Sequence, residues 1–161
     1  MTGKVGEIKL SLRTNIIQEY GALDLLSEQL DVYEISSPGI LVDRNLYNAS
    51  KYVSGRVDSL AKKRSAHVVQ YEHPFEPSYQ YLDKLNNNLE LSGKKREIDG
   101  WVGIGGGSVL DTAKGLAILS TNEGSSVDFR GFPTGLNRPL PIIAIPSTAG
   151  TGSEVVYNAS F

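Results

Sequence analysis

Gly100-Trp101-Val102-Gly103-Ile104-Gly105-Gly106-Gly107-Ser108-Val109-Leu110-Asp111-Thr112-Ala113-Lys114 is the stretch that decides the fold. Its first six residues read as a short apolar strand ending in glycine, and a helix is expected from Ser108 to about Leu119. Three glycines between strand and helix let the backbone come close to a ligand without Cβ atoms in the way. The helix behind them offers N–H groups that lack an intrahelical partner, which suits a phosphate or pyrophosphate. Gly105, Gly106, Gly107 and Ser108 are therefore the first candidate binding residues, with Ser108 expected to cap the helix. The spacing is not the usual dinucleotide fingerprint, because the sixth position from Gly103 or Gly105 is Ser108 or Leu110. No Gly-Lys-Ser/Thr follows to make a Walker A loop. A turn built only for tight packing is the plainer alternative, but each glycine adds backbone entropy to be lost on folding.

Upstream, strands and helices alternate. Leu23 to Leu30 carries its leucines on one helical face, and Gly39 to Asp43 is an apolar run suited to a buried strand. Leu46 to Ala61 reads as one helix with Tyr47, Val53 and Leu60 inward, and Ala66 to Tyr71 reads as the next strand. Ser78 can cap a helix running through Leu82, Leu85 and Leu89 to a stop at Gly93. Downstream, Pro141 to Pro146 is a further apolar strand, and Glu154 to Phe161 looks like another. This alternation predicts an α/β fold, a Rossmann-like parallel sheet flanked by helices, with ligands beyond the carboxyl ends of the strands.

Other candidates sit at those ends. Asp43 can accept hydrogen bonds from an adenosine ribose and would repel a 2′-phosphate, favouring NAD over NADP. It can equally be a helix N-cap, and the two roles are compatible. Pro146-Ser147-Thr148-Ala149-Gly150-Thr151-Gly152-Ser153-Glu154 packs small and hydroxyl residues into a loop able to meet phosphate, ribose or amide groups. No catalytic role is assigned to Glu154. Glu76-Pro77-Ser78 is read first as a turn and cap.

Composition narrows the classes. The 161 residues suit one domain, and 16 basic against 18 acidic residues give a net charge of −2, with no electrostatic case for nucleic acid or an anionic membrane. No apolar run is long enough to span a bilayer and the first ten residues lack a signal-peptide core, so a cytoplasmic domain is expected. Zero cysteines exclude thiolate metal sites and thiol nucleophiles. The two histidines, His67 and His73, are expected on the surface or in loops, and no metal or catalytic residues are assigned. Eleven of the 17 glycines lie from Gly100 on. The basic clusters at residues 62–64 and 94–96 are read as solvated helix C-termini.

Together these pieces resemble the iron-containing (group III) alcohol dehydrogenases, relatives of glycerol dehydrogenase and dehydroquinate synthase. The order of Asp43, the Gly105–Lys114 stretch and the Pro146–Glu154 stretch carries the resemblance. It implies that residues 1–161 are an N-terminal NAD-binding domain. Gly106, Gly107 and Ser108 would then hold the pyrophosphate with Asp111 nearby, and Asp43 would meet the adenosine ribose. Ser147, Thr148, Thr151 and Ser153 would line the cofactor cleft. It also implies an alcohol, aldehyde or ketone substrate and a divalent metal, iron or zinc. That metal's ligands would lie in a C-terminal helical domain that this chain lacks, so the chain is expected to be a truncated form or fragment, inactive alone. Where many members carry Asn-Pro, this chain has Glu76-Pro77 and departs from the family's pattern. A non-catalytic nucleotide-binding module and a lyase of the dehydroquinate synthase type stay open as other readings, as does a homo-oligomer.

Overall fold

Two strands form the middle of the sheet, β1 (Pro38–Asp43) and β3 (Gly100–Gly105), and every residue of both except Asp43 is buried. A strand covered on both faces needs apolar side chains at consecutive positions, which is why these runs do not alternate with polar residues. The computed structural model describes residues 14–72, 77–131, 133–156 and 158–161. All its strands are parallel, in the order β2-β1-β3-β4, with β2 (His67–Tyr71) and β4 (Ile142–Pro146) at the edges.

Side-chain alternation divides the core into two layers. On one face Ile40, Val42, Val102 and Ile104 pack with Leu26 and Leu30 of α1 (Leu26–Val32) and Val53, Val57 and Leu60 of α3 (Lys51–Lys63). On the other, Leu41 and Trp101 meet Leu82 and Leu89 of α4 (Tyr79–Leu91) and Val109, Ala113 and Leu116 of α5 (Gly107–Leu119). Each fully buried Leu, Ile or Val in these layers contributes roughly 1.5–3 kcal/mol relative to exposure. The larger polar anchor is Trp101, wholly buried, whose indole N–H donates to Ser120 Oγ at 3.1 Å.

Several expectations need correction. The single helix expected over Leu46–Ala61 is two, α2 (Arg44–Ala49) and α3, because Ser50 adopts an extended conformation and its Oγ accepts the Val53 N–H at 3.3 Å. A serine offers the backbone such an alternative to continuing the helix. The strand expected over Glu154–Phe161 is absent among its described residues. Backbone groups at Asn158 and Ser160 bond to side chains of α5 instead of a strand neighbour. Arg64 is not a solvated helix end: it donates to the Ile35 carbonyl at 3.1 Å and pairs with Asp31 at 2.7 Å, tying α3 to α1. His67 lies within β2, its side chain 15% exposed, with Nε2 at 3.0 Å from Glu97 Oε2. His73 and Glu76 lie outside the described residues, as do residues 1–13.

Candidate functional site

The chain leaves β1 toward α2 and α3 on one face and leaves β3 toward α5 on the other, so the sheet order reverses between these two strands. A crevice opens at such a point, beyond the carboxyl ends of the strands. Tyr71, Asp43, Gly105 and Pro146 close the four strands there: Tyr71 pairs with Asp43, Val42 pairs with Ile104, and Gly105 pairs with Pro146. A Cβ on Gly105 would fall 3.2 Å from Asp43 Cβ and 2.6 Å from Val109 Cγ2. A side chain at this position would collide with Val109, so glycine is what lets β3 turn into the following helix beside Asp43.

Asp43 caps α2, its Oδ1 accepting the Leu46 N–H at 2.8 Å. The capping role is thereby realised with one carboxylate oxygen, and the side chain is only partly buried at the rim of the crevice. Across from it, α5 begins at Gly107. Gly106 occupies the N-cap with extended backbone and no side-chain capping bond, so Ser108 is the second helical residue and not the cap. A glycine N-cap leaves the first amides of the helix with no side chain folded over them. Ser108 keeps its own carbonyl engaged, accepting from Thr112 Oγ1 at 2.7 Å.

The loop after β4 lies over this turn. Ser147 N–H donates to the Gly105 carbonyl at 2.8 Å, which starts the loop at the switch point. Cβ atoms on Gly106 and Gly107 would meet Thr148 Oγ1 at 3.3 Å and Thr151 Cγ2 at 2.8 Å. Ser147, Thr148 and Thr151 are exposed at the surface of the loop, whereas Ser153 is 4% exposed. Ser153 Oγ donates to Asp111 Oδ1 at 2.6 Å, and Lys114 Nζ lies 3.0 Å from the same oxygen. The structure thus brings together all ten residues predicted from sequence, eight at the cleft and two, Asp111 and Ser153, in a polar cluster at its floor.

A cavity of about 240 Å³ is lined by Pro77, Gly107, Ser108, Asp111, Thr151 and Ser153, together with Val156, Asn158 and Ser160. A second hollow of about 360 Å³ runs between β2 and α4, away from the strand ends, and its Lys94 and His67 are already turned to Glu97. The smaller cavity is one part of the candidate site: Gly107, Ser108, Asp111, Thr151 and Ser153 line it, whereas Asp43, Gly105, Gly106, Ser147 and Thr148 lie outside its lining, around the glycine turn and the strand ends.

Two residues escaped the sequence reading. Lys114 is buried beneath the site, although nothing in the pattern tells a lysine directed at a ligand from one directed at the core. Tyr71 is 4% exposed beneath α5, its ring edge-on to Tyr81 at 5.4 Å. Burial pushes its phenol up, and a hydrogen bond with Thr112 works against that. An aromatic residue closing a strand was the available signal. Pro77 lines the cavity, and Ser78 Oγ accepts the Tyr81 N–H at 3.3 Å as the expected cap of α4. Glu154 Oε2 is shielded from solvent without a hydrogen-bond partner among the described residues.

No group of three or more His, Cys, Asp or Glu suited to a metal gathers among the described residues. Nor is any described helix long and apolar enough to cross a membrane.

Comparison with known proteins places this geometry. A family model described as iron-containing alcohol dehydrogenase matches residues 13–161. The 4-hydroxybutyrate dehydrogenase of Cupriavidus necator is 32% identical over 150 residues, covering 91% of this chain and 37% of that protein. The mitochondrial hydroxyacid-oxoacid transhydrogenase of Caenorhabditis briggsae is 46% identical over 126 residues, covering 74% of this chain and 26% of that one. A solved sulfoacetaldehyde reductase from Bifidobacterium kashiwanohense, in complex with NAD+, matches with a TM-score of 0.76 at 23% identity, covering 93% of this chain and 39% of that chain. At that identity the likeness is one of fold. The chain spans well under half the length of each of these relatives. A family match over nearly its whole length decides the kinship: the chain belongs to the iron-containing alcohol dehydrogenase family.

Proposed function

We propose that this chain is the cofactor-binding part of an NAD-dependent alcohol dehydrogenase, an oxidoreductase that interconverts a small alcohol and its aldehyde or ketone. One observation carries the reading. At the switch point the glycine turn and the first amides of α5 face hydroxyls of the Ser147–Thr151 segment, with the Asp43 carboxylate across the same crevice.

The residues fit a dinucleotide. Without side chains, Gly105, Gly106 and Gly107 let the turn pack closely against Val109, Thr148 and Thr151, and the helix amides beside it are the donors that a pyrophosphate takes. Gly107 and Ser108 would present those amides, and Ser147, Thr148 and Thr151 would add hydroxyl donors. Asp43 would accept from the adenosine ribose and repel a 2′-phosphate. The nicotinamide, once bound, supplies hydride transfer; this chain's part is to hold and orient it. The solved relative bound to NAD+ supports the choice of cofactor. The described residues form no metal-holding group, so no step through a metal is assigned to them.

The test is calorimetric titration of the folded chain with NAD and with NADP. Saturable binding of NAD with clear preference over NADP is the expected result. No heat with either nucleotide, from a chain whose circular dichroism reports the α/β fold, would overturn the reading.

A further inference from the structure

The floor of the cleft is a closed polar cluster centred on Lys114. Its ammonium has three protons, and three acceptors meet them: Asp111 Oδ1 at 3.0 Å, Ser153 Oγ at 2.9 Å and the Asn158 carbonyl at 2.8 Å. Asp111 is equally occupied. Its Oδ1 also accepts from Ser153 Oγ at 2.6 Å, and its Oδ2 accepts the Ser160 N–H at 3.1 Å. The pair is largely shielded, with side chains 10% and 13% exposed, so neither charge is well screened by water.

This cluster reaches the glycine turn through one short path. Ser153 N–H donates to Thr151 Oγ1 at 3.3 Å, and Thr151 Cγ2 lies 2.8 Å from where a Gly107 Cβ would stand. Pulling on Ser153 therefore moves Thr151 relative to the amides of α5. Charge matters as much as position. Asp111 lines the cavity beside Ser108, and a bare carboxylate there would oppose any anion held by the turn. Lys114 cancels it from below while offering no spare proton of its own.

We propose that Asp111, Lys114 and Ser153 are positioning residues. They fix the loop after β4 over the glycine turn and neutralise the cleft floor, and none of the three touches the nucleotide. This rests on the nucleotide reading above and differs from it in assigning Asp111 and Ser153 to support instead of contact. A lysine one turn beyond a glycine turn would otherwise be the first choice for a phosphate ligand.

The experiment measures binding of NAD, ADP and adenosine to the folded chain and to three variants, with amide hydrogen exchange recorded without nucleotide. Ser153→Ala, the mildest change, is expected to speed exchange over residues 147–153. It should weaken NAD and ADP roughly tenfold each, the worth of a lost charge-assisted hydrogen bond, and leave adenosine unchanged. Lys114→Met should weaken NAD and ADP more, again sparing adenosine. Adding Asp111→Asn to Lys114→Met should recover much of that loss, because the uncompensated carboxylate is the cause. A lysine that holds phosphate directly cannot be rescued in this way, so a loss that persists or deepens in the double variant overturns the proposal. So does equal weakening of adenosine, which would mark a general loss of structure, and so does wild-type affinity in Ser153→Ala. If the parent chain binds none of the three probes, the nucleotide reading falls and the site role with it. Failure of the cluster alone looks different: the parent binds and the variants match it.

Discussion

Asp43 Oδ1 accepts the Leu46 N–H, so asparagine at this position keeps the cap of α2 and removes only the charge. The two roles read from sequence can therefore be measured separately. Asp43→Asn should leave the melting temperature nearly unchanged while the preference for NAD over NADP falls by roughly an order of magnitude. Asp43→Ala should lose the preference and also about 1 kcal/mol of stability, the usual worth of a cap. Titration of both variants with both nucleotides, alongside thermal melting, checks the pair. Undiminished discrimination in Asp43→Asn would remove the ribose role and leave a helix cap. Position 43 was readable because an acidic residue ending an apolar strand is conspicuous. Its partner across the crevice was readable for another reason, since three consecutive glycines have few purposes. Ser108 shows the limit: serine near a helix start is a good cap by type, yet the chain turns one residue earlier and Gly106 takes that place.

Between α4 and α5 the packing turns on Gly115. A Cβ there would stand 2.4 Å from Leu82 Cδ2 and 3.0 Å from Phe161 Cζ, and Leu82 is itself only 2% exposed. Alanine in mid-helix gains about 1 kcal/mol of helix propensity, whereas overpacking a core typically costs about 1–3 kcal/mol. With Leu82 unable to move into solvent, the second effect wins. Gly115→Ala should lower stability by up to about 2 kcal/mol, read from denaturant unfolding; a more stable variant would mean that α4 can yield. The elements themselves were largely legible. β1 and β3 announce burial on both faces by uninterrupted apolar runs, and Ser78 and Gly93 mark the ends of α4. The break at Ser50 was not, because one serine in a helical pattern is ordinary until its side chain is seen bonding back to Val53. The strand expected near the end failed for a tertiary reason, since the backbone partners of Asn158 and Ser160 are Lys114 and Asp111, more than forty positions away.

For the molecule as a whole, acid offers a simple probe. Asp83 accepts from Ser126 N–H at 2.7 Å and from Ser125 Oγ at 2.8 Å, holding the short 3₁₀ turn at Ser126–Phe129 against α4. Burial alone would raise its pKa, but these hydrogen bonds outweigh burial and hold the carboxyl below its ordinary 3.8. Folding therefore favours the ionised form. The resulting stabilisation is complete above the ordinary value and disappears as the pH falls through 3.8 toward the folded value. Asp83→Asn should flatten the acid limb by lowering stability at neutral pH while converging with the parent at the acid end, with fluorescence of the single Trp101 as the readout. An unchanged acid limb would place the dependence on other carboxylates.

The placement of Asp43 and the glycine turn on neighbouring strands has a consequence for how the chain matures. β1 and β3 are separated in sequence by α2, α3, β2 and α4, so the cleft cannot exist until most of the polypeptide has emerged and docked. A ligand recognising both walls is thus a sensor of completed folding and shifts the global equilibrium by mass action. At a hundredfold excess over its dissociation constant it would add about 2.7 kcal/mol, comparable with the margin that separates a durable protein from one cleared by proteases. Supply of the proposed nucleotide would then govern the abundance of this protein.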